Sequence, residues 1–101
     1  MWIFTLFDLP TEKKKQRYEY NRFRKALLKD GFDMLQFSVY IRHCPSQEAA
    51  DAHVNHVENS LPQEGKITIL TVTDKQFENI KHYWGVEQVE PPTTPQQLEM
   101  F

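Results

Sequence analysis

The stretch from Trp2 to Asp8 constrains this chain most. It reads W-I-F-T-L-F-D, apolar at nearly every position and of strand length. A strand with one wet face alternates in polarity; a run without alternation suits a central strand covered on both faces. Asp8 closes the run. A carboxylate there is costly to bury unless it is paired, hydrogen-bonded or bound to a metal. Two readings stand side by side. Asp8 either accepts backbone N–H bonds from the turn at Pro10 to Lys13, or a rigid strand end presents it as a catalytic or ligating group.

Leu9-Pro10-Thr11 turns the chain, and Thr11 is the expected N-cap of a first helix running to about Lys29, where Asp30-Gly31 stops it. Helical spacing places Tyr20, Phe23, Leu27 and Leu28 on one core-facing arc. The segment Phe32 to His43 is long for one strand and lacks an Asn-Gly turn, so it reads as two short strands or one strand bent near Gln36 to Ser38. Pro45-Ser46 opens a second helix with Ala50, Val54, Val57 and Leu61 on its apolar face. Lys66 to Thr73, dense in β-branched residues, is a clear strand. Thr73-Asp74 caps a short helix carrying Phe77, Ile80 and Trp84, closed by Gly85, and a brief extended piece follows to Val89. The Pro-, Thr- and Gln-rich tail ends in the apolar tip Leu98-Glu99-Met100-Phe101, suited to adding a strand to a second copy's sheet.

The order strand, helix, strand pair, helix, strand predicts an α+β, ferredoxin-like (βαββαβ) domain over residues 1–85, with a C-terminal extension over 86–101 making partner or dimer contacts. At 101 residues there is room for one such core. The open sheet face or edge needs a cover, and a symmetric homodimer supplies it. With one cysteine, Cys44, no intrachain disulfide forms, so a reducing, cytoplasmic setting is expected. No apolar run approaches 18 residues, so no membrane span or leader is expected.

The net charge of −2 hides an uneven distribution. Lys13, Lys14, Lys15, Arg17, Arg22, Arg24, Lys25 and Lys29 lie between Thr11 and Asp30, opposed there by Glu12, Glu19 and Asp30 alone. A polyanion responds to this local patch, because charges beyond about 10 Å are screened at ordinary salt. A solvated helix face accounts for the pattern equally well. Lys14, Lys15, Arg22, Lys25 and Lys29 fall on the solvent arc, whereas Arg17 and Arg24 lie beside or within the apolar arc and need partners.

Other chemistry is sparse. Ser38 and Cys44 lack a nucleophile elbow or an evident base. His53 and His56 sit three apart on one helix, but no carboxylate signature accompanies them, and an exposed helix face explains them better than a metal. No glycine-rich loop cradles a phosphate.

Three stretches together resemble one family: the strand-final acid in Phe4-Thr5-Leu6-Phe7-Asp8; the block from Tyr20-x-x-Phe23-Arg24-x-x-Leu27-Leu28-x-x-Gly31-Phe32 into Leu35-Gln36-Phe37-Ser38-Val39-Tyr40; and Gly65 through Phe77. In that order they are similar to the small CRISPR-associated endonuclease of spacer acquisition, dimeric partner of the integrase subunit, in its type II-like form. The resemblance implies a ferredoxin-like dimer in which each Asp8 faces its twin and binds Mg2+. Two carboxylates so close repel unless a cation lies between them. It also implies two roles. In one, a Mg-dependent endonuclease cleaves RNA or DNA. In the other, a scaffold bridges integrase subunits and holds double-stranded DNA along a basic surface. Lys13, Lys14, Arg17, Arg22, Arg24 and Lys25 are the expected nucleic-acid contacts, with Arg17 and Arg24 suited to anchored phosphates. Ser38 and Tyr40 belong to the motif, with Tyr40 at the dimer seam, near nucleic acid or in the core. An unrelated RNA-recognition module would need a K/R-G-F/Y run on its central strands, which this chain lacks.

Overall fold

The computed structural model describes residues 1–92. Strand β1 (Trp2–Asp8) is central in a four-stranded antiparallel sheet of order β2-β3-β1-β4, flanked by β3 (Val39–His43) and β4 (Lys66–Val72), with β2 (Asp33–Gln36) at the far edge. This is the ferredoxin-like order expected. Alternation along β1 splits its side chains between two layers. Ile3 and Phe7 join Phe23 and Leu27 of α1 (Lys14–Lys29), Phe32, Tyr40, Cys44, and Ala50 and Val57 of α2 (Gln47–Glu58) in one core. Trp2 and Phe4 face the other way and pack with Ile41 and with Phe77 of the short helix α3 (Asp74–Glu78). Trp2 stacks on Phe77 at a centroid distance of 4.0 Å. β1 is therefore covered along one face by α1 and α2 and, at its Trp2–Phe4 end, on the other face by α3, while that second face opens toward Asp8.

The helix starts agree with the sequence reading except at α1, and α2 and α3 end earlier than expected. Ser46 caps α2 by accepting from Ala49 N–H, and Thr73 caps α3 by accepting from Gln76 N–H, both as expected. α1 begins two residues later than Thr11 predicts. Its N-cap is Lys13, whose N–H donates to Gln16 Oε1, and its first turn holds no acid. Thr11 serves the approach to the helix instead: its carbonyl and that of Glu12 accept from Arg17 Nη1. On the apolar arc, Phe23 and Leu27 are buried, Tyr20 is half-buried, and Leu28 is exposed. Leu61 lies past the end of α2 and is also exposed.

Phe32 to His43 forms two strands joined by a tight turn at Phe37-Ser38. No Asn-Gly pair is needed, because only one of the two turn residues, Ser38, has a positive φ (61°). Its carbonyl accepts from Phe7 N–H at 3.0 Å, fastening the hairpin tip to the end of β1. The region after α3 departs most from expectation. Trp84 is not helical: His82–Trp84 (β5) and Glu87–Val89 (β6) pair as a separate hairpin, with Gly85 at φ +63° in its turn. Trp84 is 78% exposed, and the hairpin runs across the expected boundary at residue 85. The apolar tip Leu98–Phe101 lies outside the described residues. Among the described residues, no helix is long and apolar enough to cross a membrane.

Candidate metal centre and nucleic-acid interface

Asp8 is the last residue of β1 and sits in register with Lys66. By alternation it shares a face with Trp2, Phe4 and Leu6, the face turned away from α1 and α2. It is exposed, not buried. Its carboxylate takes no part in a hydrogen bond or ion pair among the described residues, so the capping alternative is not realised; Arg17 rather than Asp8 secures the turn before α1.

What fixes Asp8 is backbone. Gly65 immediately precedes β4 with φ +97°, and a Cβ there would lie 2.5 Å from Leu9 Cδ2 and 2.7 Å from the Asp8 carbonyl. Any side chain would push β4 off the end of β1, exactly where the Asp8–Lys66 pair closes the sheet. The sequence reading named Gly65 as the first residue of the third motif block without giving it a structural role. Its position directly before a strand was the available signal. On the other side of β1, the Ser38 carbonyl holds Phe7. The acid thus projects from a strand end anchored on both flanks.

The magnesium implied by the family resemblance can be tested against this donor set. Mg2+ prefers oxygen ligands, keeps several waters, and uses one or two carboxylates. An exposed carboxylate with both oxygens disengaged fits such an ion.

The basic residues divide into two groups. Lys13, Lys14, Lys15, Lys25 and Lys29 are exposed and make no ion pair among the described residues. The arginines are engaged. Arg22, expected on the solvent arc, is half-buried: it pairs with Glu19 at 2.6 Å and donates to the carbonyls of Ser60 and Leu61, tying α1 to the end of α2. Arg24 Nε donates to the Tyr40 hydroxyl at 3.0 Å. Tyr40 is buried and stacks on Phe7, which settles it in the core of this chain. Arg17 remains exposed while gripping two carbonyls. Side chains lying beside an apolar arc need partners, and these arginines find them within the chain.

Two further acids have perturbed surroundings. Burial raises the pKa of Asp30, but hydrogen bonds and charge from His53 and His56 outweigh it and leave the carboxyl below its ordinary range. Burial likewise works against Asp74, and the N-terminal ammonium and His43 overcome it. Burial pushes the Cys44 thiol up, which keeps it protonated and unsuited to nucleophilic work.

The family model for CRISPR-associated protein Cas2 matches residues 1–80. A protein of Flavobacterium psychrophilum described as a CRISPR-associated endoribonuclease Cas2 is 50% identical over 101 residues, covering all of this chain and 88% of its own length. A protein of Parvibaculum lavamentivorans with the same description is 48% identical over the full length of both chains. One from Streptococcus mutans is 43% identical over 77 residues, covering 76% of this chain and 71% of its own. With the strand order, the placement of Asp8 and these matches taken together, the chain belongs to the CRISPR-associated Cas2 family.

Proposed function

We propose that this chain acts in CRISPR spacer acquisition as a homodimer that holds double-stranded DNA and bridges integrase subunits, with a slow Mg2+-dependent endonuclease activity centred on Asp8. The observation that carries the scaffold reading is the set of five exposed lysines on and beside α1 that make no ion pair among the described residues. Such a surface supplies sequence-independent phosphate contacts, as a protein handling arbitrary spacer DNA requires. The arginines, held by Glu19, Tyr40 and main-chain carbonyls, shape that surface more than they reach beyond it. Arg17 is the exception, exposed enough to touch a phosphate.

The dimer is supported by the open sheet face. Leu70 on β4 is 51% exposed, and the outer edge of β4 has no partner strand among the described residues. An uncovered edge and face of this kind invite a second copy. Asp8 shares that face, so a two-fold pairing there would set two carboxylates toward each other. When bound, Mg2+ would polarise the phosphate and supply an activated water. Asp8 itself holds the ion, and Gly65 and Ser38 hold Asp8. The segment from residue 86 onward is the candidate contact to the integrase subunit.

A second reading makes metal-dependent cleavage of RNA or DNA the main role. It is favoured by the freedom of the Asp8 carboxylate and by the endoribonuclease description of the relatives. Asp8→Asn separates the two when assayed for cleavage and, independently, for spacer integration with the integrase subunit. The scaffold reading expects cleavage to vanish and integration to survive. Loss of integration with dimer and DNA binding intact would favour the second reading.

A further inference from the structure

The structure completes what the sequence left as an isolated histidine pair. His53 and His56 lie on one face of α2, and the carboxylate they meet is Asp30, at the C-cap of α1, 23 residues earlier than His53. His53 Nδ1 stands 2.8 Å from Asp30 Oδ2, and His56 Nδ1 stands 2.9 Å from Oδ1. Three candidate donor atoms, one from each residue, lie within 4.8 Å of one another. The two rings meet edge to face with centroids 5.2 Å apart.

We propose that Asp30, His53 and His56 form a transition-metal site, zinc by preference, that clamps the end of α1 to the middle of α2. Ligand bonds of about 2.0–2.1 Å in tetrahedral geometry set donor atoms about 3.3 Å apart. The two short N···O distances run to different oxygens of Asp30, so the ion takes one oxygen and the second imidazole swings toward it, from donor atoms that already lie within 4.8 Å of one another. On binding, each Nδ1 gives up to solvent the hydrogen it directs at Asp30, the neutral imidazole carries its one proton on Nε2, and the Nδ1 lone pair turns to the ion. Asp30 supplies the anionic oxygen, and a water takes the remaining position.

The surroundings favour this arrangement. Arg42 directs its guanidinium at the main-chain carbonyls of Asp30 and His43, leaving the Asp30 carboxylate to the histidines. His53 and Asp30 are largely sheltered, whereas His56 is 56% exposed and leaves a path for the ion. Two imidazoles with one carboxylate select zinc or its neighbours over magnesium, whose preference is for oxygen alone. The site is thus chemically distinct from Asp8, at the opposite end of the chain's first strand–helix unit.

The test uses tag-free, full-length protein freed of metal with a chelator and titrated with Zn2+ against a chromophoric competitor. The proposal expects one Zn2+ per chain and a higher thermal midpoint. His56→Gln, a change at an exposed position, weakens binding by more than about tenfold, and Asp30→Asn does the same. Binding by the Asp8→Asn protein and by a His43→Gln/His82→Gln protein matches the wild type. No saturable binding at one per chain would overturn the proposal. So would wild-type affinity in the His56→Gln protein, or loss of binding in the His43→Gln/His82→Gln protein. Should Asp30→Asn fail to fold, the His56→Gln protein decides the matter alone.

Discussion

Asp8 ends β1 and Asp30 ends α1, yet their carboxylates have opposite surroundings. Asp8 is exposed on the open face of the sheet with neither oxygen engaged among the described residues. Asp30 is sheltered between two helices and gives one oxygen to each of two histidines. In sequence they looked the other way round: Asp8 stood out against an apolar strand, and Asp30 was punctuation before a glycine. An acid that is engaged contributes to stability, while an acid left free at a rigid strand end is available to a ligand. The α1 cations divide in the same way, with Arg22 and Arg24 committed to the fold and the lysines left to solvent.

That contrast can be broken at several points. The largest expected effect is on catalysis: Asp8→Asn should lower any Mg2+-dependent cleavage by about 100-fold or more, measured on labelled RNA and DNA. Next is Gly65→Ala, which forces a side chain into the Asp8–Leu9 backbone at a positive φ. It should cost about 2 kcal/mol or more in urea denaturation. A loss near zero would mean that β4 yields easily and Asp8 is less firmly placed than its surroundings indicate.

Tyr40→Phe should cost about 1 kcal/mol, because it removes the hydroxyl that accepts from the half-buried Arg24. It should leave duplex affinity nearly unchanged. Substituting Lys13, Lys14 and Lys25 together by Ala should leave stability intact and reduce the salt slope of duplex binding by about 0.9 for each lysine that contacts phosphate. An unchanged slope would make the lysines a solvated face only.

The smallest effect is at Asp74, whose folded pKa lies below its ordinary value of 3.8. A depressed acid adds stability above its unfolded pKa and loses it as pH falls through the folded value. Asp74→Asn should therefore flatten the stability profile slightly at the acidic end and nowhere else.

Much of this was legible in the sequence, for identifiable reasons. β1 carried its burial in its lack of alternation, and Ser46 and Thr73 announced their helices with side chains that bond to backbone. The failures came where local pattern competes with tertiary contact. Thr11 had the chemistry of an N-cap, but Arg17 holds its carbonyl and that of Glu12 ahead of the helix, a contact that no local pattern announces. Trp84 fell at helical spacing from Phe77 and Ile80, while the pairing of His82–Trp84 with Glu87–Val89 across Gly85 required weighing a two-residue turn instead. Of the site, Asp8 was visible in its role and Gly65 only as a motif residue, because its importance lies in what its absent side chain would strike. Asp30 was invisible as a partner of His53 because nothing local connects two helices.

Among the described residues Asp8 is free of structural work and Asp30 is not. Equilibrium urea denaturation of Asp8→Asn and Asp30→Asn, side by side in chelator-treated protein, tests it most directly. The account predicts that Asp8→Asn stays within about 0.5 kcal/mol of the wild type, while Asp30→Asn loses about 2 kcal/mol with its two histidine contacts. A loss at Asp8 equal to or greater than that at Asp30 would contradict it.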